Sequence, residues 1–557
     1  MQIKLISSLD KVFVEGPIEQ LEIDSGEIFL DELYGFQVAV QGCEGISVEI
    51  SSPTIPVLSL YEVKQIPSGL PVRENHDEDI LKGVPGFYPD ALIPVRSPVK
   101  LQGTKAQWHS IWVEVQLKDQ AMVGRHQIEI QVTNYGIYQK IPVETATAKF
   151  VLDVINARLP KQELIHTEWF HTDSLMSYYG IEAFSPSYWE WVEKFLVMAV
   201  NHSVNMVLTP LFTPPLDTEI GGERPTVQLV GVTKKGSNYD FDFSQLDHWS
   251  HICRKVGVTY LEMSHLFTQW GAKAAPKIVA TSEGECLQLF GWKTDAGGEA
   301  YRNFLAQFVP ALIDWLEEHD WLATTFFHVS DEPGMGDLES YRKASVYLRQ
   351  LVGDIPVIDA LSDYDFYQEG LVDIPIPANS AVQPFINQQI SPLWTYYCVS
   401  QNQSVSNRFF DMPSSRNRIL GYQLYKFDIQ GFLHWGYNFY FTQFAKRPVN
   451  PFLETDAGGV FPSGDSFLVY PGEDQPLASI RLKVLNEAMQ DIRILNLLES
   501  WIGKKAVIAL LETDISPLKF DSYPKEAYWQ IEMRQKINLT IKKYLGGQGD
   551  EINRQGR

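Results

Sequence analysis

Cysteine is scarce in this chain: four residues in 557, at positions 43, 253, 286 and 398, with no CxxC pair. That excludes a disulfide framework and a zinc ribbon, and it suits a reducing cytoplasm. Long apolar runs are missing too. None approaches the roughly 18 residues that span a bilayer, so no membrane span is expected. The opening residues MQIKLISSLDKVFVEG are broken by Asp10 and Lys11, which does not read as a secretory leader. Basic residues are outnumbered, 46 against 69 acidic ones, for a net charge of −23. Without a lysine-rich run there is no positive surface for phosphate backbones, and nucleic acid is not an expected partner. There is no HExxH, and His171, His265, His328 and His434 are scattered, so no metal is expected. No G-x-S-x-G elbow occurs, and Gly334-Met-Gly336 is too short a glycine loop to cradle phosphate. No cofactor is expected.

What the chain does have is aromatic surplus, with 14 Trp, 25 Tyr and 30 Phe. Flat rings suit the C–H faces of sugars, and they also fill large cores. Up to about residue 156 the hydrophobic pattern has period two, as in Phe36-Gln-Val-Ala-Val40, Ile46-Ser-Val-Glu-Ile50, Ile111-Trp-Val-Glu-Val-Gln-Leu117 and His126-Gln-Ile-Glu-Ile-Gln-Val132. Strands that each bury one face predict a β-sandwich over 1–156. After a linker near 156–161, helical and strand patterns alternate. Helices expected near 186–201, 244–255, 301–319 and 338–351 each precede a short apolar strand. That rhythm predicts a parallel sheet, and the number of units favours a (β/α)8 barrel over 160–475. The fold class is therefore α/β plus all-β. A helical tail over 476–545 is expected to pack on the barrel, and 546–557 is expected to be a disordered end.

In a barrel, chemistry sits where strands end. The stretch Thr324-Thr-Phe-Phe-His-Val-Ser-Asp-Glu-Pro-Gly334 delivers Asp331 and Glu332 to such a place, and Pro333 is expected to hold Glu332 extended. Other Asp-Glu pairs, at 31–32, 77–78 and 550–551, sit in polar segments and read as solvated surface charge. Two neighbouring carboxylates suit proton transfer around one bond, because crowding pushes their pKa values apart. Glycoside hydrolysis uses such a pair. Adjacent residues need not reach the usual retaining or inverting separation. They fit the exception in which the substrate's own acetamide oxygen is the nucleophile. Glu332 is then the acid/base, and Asp331 orients the acetamide N–H.

Other expected strand ends carry groups suited to a sugar: His171 and Asp173, His265 and Trp270, His328, Trp394, Tyr396 and Tyr397, then Trp435 and Asn438. Trp rings stack on pyranose faces, while Tyr, His, Asp and Asn bond hydroxyls. Core packing is the competing explanation for any single Trp.

Several ordered motifs resemble the catalytic domain of glycoside hydrolase family 123. They are His328-Val-Ser-Asp-Glu-Pro333, Thr213-Pro-Pro-Leu-Asp-Thr218, His265-Leu-Phe-Thr-Gln-Trp-Gly-Ala272, Ala275-Pro-Lys-Ile278, Phe290-Gly-Trp292, Trp394-Thr-Tyr-Tyr397, Gly431-Phe-Leu-His-Trp435, Gly464-Asp-Ser-Phe-Leu-Val-Tyr-Pro471 and Ser479-Ile-Arg-Leu482. The likeness runs from about 160 to 500. It implies a β-sandwich before the barrel and β-N-acetylgalactosaminidase activity by the substrate-assisted route. Asp331 would stabilise the acetamide, Glu332 would be the acid/base, and an aromatic of 394–397 would bind the acetamide oxygen. Ala488 stands where glycine is expected, away from these roles. The same mechanism on another 2-acetamido sugar, or a non-catalytic carbohydrate-binding protein, are the competing readings.

Overall fold

The structure, a computed structural model, describes residues 1–18, 22–42, 45–136 and 141–555, with side chains to 546. The chain divides into two compact units, neither continuous in sequence. One holds 1–162, 402–426 and 477–557; the other holds 163–401 and 427–476.

The first unit contains two five-stranded sheets. Leu33–Gln41 and His109–Gln116 are central to one, Gly124–Asn134 and Glu144–Arg158 to the other. Their alternating side chains meet in one core that includes Phe36, Val38, Ile111, Val113, Ile130 and Phe150. Phe36 and Phe150 stack with centroids 4.0 Å apart. The alternation foretold these strands. It did not foretell Gly86–Val95, which carries Pro89 and Pro94 and lies at a sheet edge, where proline leaves no ladder bond unmade.

The same unit takes in the helices Ser414–Lys426, Ile480–Ile502, Lys504–Leu511 and Ala527–Gln555. The tail expected over 476–545 is thus grouped with the N-terminal strands. Charge pairing ties these helices to the strands. Arg481, buried, makes two bonds of 2.9 Å to Asp90 of the sandwich. Arg534 bonds Glu32 at 2.7 and 2.8 Å and Asp491 at 2.9 Å. Glu32 is thus a buried partner and not solvated charge, and Asp77 is likewise held by Arg416 at 2.7 and 2.9 Å. The pair at 550–551 and most of the expected disordered end, from 547 on, lie outside the residues whose side chains are described.

The second unit is mixed α/β around a curled parallel sheet. Six strands run in the order Thr325–Phe327, Tyr260–Met263, Met206–Thr209, Ile165–Glu168, Gly431–His434, Trp394–Tyr396. Ile358–Ala360 and Ile374–Ile376 form a parallel pair. Single parallel bridges link Phe327 to Val357 and Ala378 to Tyr396, one at each edge of the six-stranded sheet. Helices Pro186–Val200, Ser244–Val256, Glu299–Glu318 and Leu338–Val352 connect strands close to where they were expected. Ser185 caps the first by accepting from the Tyr188 N–H, with Pro186 in the opening turn. A separate four-stranded sheet, Gly231–Lys235, Asn238–Asp242, Ile278–Ser282 and Glu285–Phe290, is built from two hairpins inserted after successive parallel strands.

Candidate active site

The strand Thr325–Phe327 is only three residues long and fully buried. Beyond it the chain bends, and Asp331 and Glu332 both border one cavity of about 250 Å³. That is near the small end of ligand pockets, which start at about 300 Å³, and leaves room for a single sugar ring. Glu332 has φ +43°, so the expected extended conformation before Pro333 gives way to the left-handed region. For a non-glycine residue this costs about 1–3 kcal/mol and persists only where neighbours over-determine it. Here they do: the Glu332 N–H donates to the Ala360 carbonyl at 3.0 Å, and the Trp270 N–H to the Asp331 carbonyl at 2.9 Å. Turning the backbone at this point lets two consecutive side chains share one pocket.

Glu332 is exposed towards the cavity and Asp331 is half-buried. The Tyr396 hydroxyl donates to Glu332 Oε1 at 2.6 Å, with the Cys398 thiol 3.8 Å from the same oxygen. Burial raises the Asp331 carboxyl well above the ordinary range, and the charges of Glu332, Asp359 and Asp217 add to this while His328 opposes it. The walls are aromatic: Trp169, Trp270, Trp435, Phe444 and Phe461. Asp217, Gln269 and Gln443 supply polar groups.

Behind the wall lies a buried hydrogen-bonded chain. His328 faces two carboxylates, Glu262 through Nε2 at 2.5 Å and Asp359 through Nδ1 at 2.8 Å. These bonds outweigh burial and lift its pKa to about 9, so the ring is an imidazolium. Glu262 also accepts from the Trp169 indole at 2.7 Å and the Thr167 hydroxyl at 2.5 Å. Asp359 accepts from the Tyr341 hydroxyl at 2.5 Å and from the Ser330 N–H at 3.0 Å. The chain therefore ties a ring in the cavity wall to the backbone just before Asp331. His265, His328 and Asp359 cluster tightly enough to surround an ion. Yet a doubly donating imidazolium has no lone pair to offer one, and the set does not fit a metal while His328 keeps its two carboxylates.

More than half of the chain, residues 169–498, matches the family model for the glycoside hydrolase 123 catalytic domain. The chain belongs to glycoside hydrolase family 123. It is a glycosidase. Its fold is similar to that of a family 123 glycoside hydrolase from Clostridium perfringens, studied for glycolipid glycan hydrolysis, at 16% identity and a TM-score of 0.71, covering 100% of both chains. A β-galactosidase from the psychrophilic Marinomonas ef1 matches at 10% identity and a TM-score of 0.34, over 67% of this chain and 65% of that one, too remote to bear on the argument. No curated protein sequence matches the chain.

Within this family 123 fold the expected contact residues part into two groups. Trp270, Tyr396 and Trp435 line the cavity. His171, Asp173, His265, His328, Trp394, Tyr397 and Asn438 are buried and are not among its lining residues. His171 and Asp173 are taken up by Arg224, which bonds Asp173 at 2.7 and 2.8 Å and His171 Nδ1 at 3.1 Å. Burial and that guanidinium lower His171 to about 3. Asn438 bonds the His171 backbone. Trp394 lies over Gly431, where an added Cβ would fall 2.1 Å from the indole. His265 stacks on His328 at 4.3 Å, and Tyr397 packs on Phe432 and His434. Trp169 and Asp217 went unassigned, although Trp169 lies two residues before His171 and Asp217 lies within the 213–218 motif. Phe444, in the short 3-10 turn Gln443–Ala445, and Phe461 lie beyond the last parallel strand, where no periodicity marks them.

Proposed function

We propose that this family 123 glycosidase removes a terminal β-linked 2-acetamido sugar, N-acetylgalactosamine, by substrate-assisted, retaining hydrolysis. The observation that supports this reading best is the convergence of Asp331, Glu332 and the Tyr396 hydroxyl on one cavity of single-sugar size. The choice of N-acetylgalactosamine rests on the resemblance in sequence. The two parallel bridges that join the Ile358–Ala360 pair to both sheet edges favour a closed (β/α)8 ring, with the cavity at the C-terminal ends of its strands.

In the proposed reaction the Glu332 carboxyl gives its proton to the glycosidic oxygen. The bond from that oxygen to the anomeric carbon breaks as the acetamide carbonyl oxygen bonds to the same carbon. The acetamide N–H donates to the Asp331 carboxylate, which stabilises the positive charge of the oxazolinium ring. Tyr396, whose hydroxyl already reaches Glu332, is the aromatic of 394–397 placed to donate to the acetamide oxygen. Water then attacks the anomeric carbon and gives its proton to Glu332. The ring bond breaks, and two inversions leave the configuration retained. Preorganised charge and geometry in a partly dry cavity are the main source of rate.

A thiazoline analogue of N-acetylgalactosamine mimics the cyclic intermediate and tests sugar and mechanism together. Inhibition by it, stronger than by the gluco epimer, is expected. Stronger inhibition by the epimer would reassign the sugar, and inhibition by neither would reject the cyclic intermediate.

A further inference from the structure

The mechanism above leaves one acid in the cavity without a task. Asp217 lies in the loop after the strand Met206–Thr209, within a segment pinned from several sides. Its N–H donates to Gln269 Oε1 at 2.6 Å, and Gln269 Nε2 donates to the Thr218 carbonyl at 3.1 Å. Its own Oδ2 accepts the Phe444 N–H at 2.9 Å, while the Glu219 N–H donates to the Phe444 carbonyl at 3.1 Å. Asp217 has φ +38°, Trp270 +59° and Phe444 +60°, so three lining residues share the left-handed backbone seen at Glu332. Four bulky or charged side chains in a disfavoured conformation around one cavity are what a preorganised binding site requires.

The clasp orients the carboxylate without using it up. Oδ2 serves Phe444, and no described protein group donates to Oδ1. Beside it, the Trp270 and Phe444 rings meet edge to face at 5.7 Å and form an apolar wall. Burial raises Asp217 to about 6, with the Phe444 N–H opposing, so near neutral pH it is ionised and can only accept hydrogen bonds. A ligand that satisfies it must bring donors next to a C–H face. A sugar ring with free hydroxyls has that chemistry.

Resting on the proposed function, we infer that Asp217 is a specificity-determining residue that accepts hydrogen bonds from ring hydroxyls of the terminal sugar, remote from its acetamide group. It fixes how the sugar sits while Asp331 and Glu332 act at the anomeric end. A site built to bond a hydroxyl rejects analogues lacking it, because its half-buried acceptor is then left unpaired.

The test compares the full-length enzyme with Asp217→Asn and Asp217→Ala on aryl 2-acetamido glycosides, parent and singly deoxygenated at O3, O4 or O6. The Asn variant keeps an oxygen for the Phe444 N–H and so preserves the loop. On the parent substrate both variants are expected to lose about 10- to 100-fold in kcat/KM, chiefly through KM, the range of a hydrogen bond to a charged group. On one deoxy substrate wild type and variants should be equally poor, so that the loss disappears. A loss of equal size on every substrate, or none on the parent, overturns the inference. So does a loss that follows leaving-group basicity, which would make Asp217 a proton donor. If wild type turns over no 2-acetamido glycoside, the underlying reading of function fails with it. If wild type does and only the Asp217 pattern is missing, this inference alone fails. Thermal unfolding of each variant separates lost contacts from lost fold.

Discussion

Asp331 and Glu332 are neighbours in sequence with different surroundings, and the proposed reaction gives them different work. Glu332 opens to the cavity and meets the Tyr396 hydroxyl, whereas Asp331 is held by burial and by nearby negative charge. Glu332→Gln is expected to cut turnover of substrates with poor leaving groups by about 10²–10⁴-fold, the usual worth of a general acid, and to spare activated aryl glycosides in the first step. Asp331→Asn is expected to slow ring formation whatever the leaving group. A leaving-group series measured on both variants checks this; parallel losses would contradict the roles. His328 carries a separate expectation. Its pKa rises from 6.5 to about 9 in the fold, so its contribution to stability is complete below pH 6.5 and is lost as pH climbs through 9. Thermal unfolding midpoints should fall over that window in wild type and fall less in His328→Gln.

At the scale of elements, close approaches set the geometry. Gly431 opens the strand Gly431–His434, and the Trp394 indole of the neighbouring strand occupies the space a side chain would need. Gly431→Ala is therefore expected to destabilise the sheet by about 1–3 kcal/mol, as overpacking does, and to lower activity by displacing the adjacent strand that carries Tyr396. Denaturant unfolding combined with kcat/KM measures both. Period and alternation made most strands and helices legible, and the strand end that bears Asp331 and Glu332 was legible for the same reason. The left-handed turn at Glu332 was not: the pre-proline preference points to extended backbone, and only tertiary bonds from Ala360 and Trp270 override it. Nor could spacing reveal that Arg224, from an irregular loop, consumes His171 and Asp173. Trp394 and Trp435 illustrate the same limit, since both sit near strand ends, yet one ring packs on Gly431 and the other faces the cavity.

At the scale of the molecule, neither compact unit is one stretch of chain, and this is the feature that reading along the sequence could not supply. Alternating strands announced a β-rich region, but not that its buried acids would be neutralised from about four hundred and five hundred residues away. Asp90 depends on Arg481 and Glu32 on Arg534, and a buried charge stripped of its partner costs about 3–5 kcal/mol. A fragment ending at residue 162 is accordingly expected to show no cooperative unfolding transition, although its sheets are complete. Calorimetry of that fragment, alone and with residues 402–426 and 477–557 supplied in trans, checks it.

The central claim is that the substrate's amide oxygen attacks its own anomeric carbon. It is tested most directly by aryl 2-acylamido galactosides whose acyl group carries zero, one, two or three fluorines. Each fluorine weakens the carbonyl oxygen as a nucleophile and leaves the sugar otherwise alike. The account predicts a steep, progressive fall in kcat/KM across the series. A flat series, or brisk turnover of the sugar with a 2-hydroxyl in place of the amide, would contradict it.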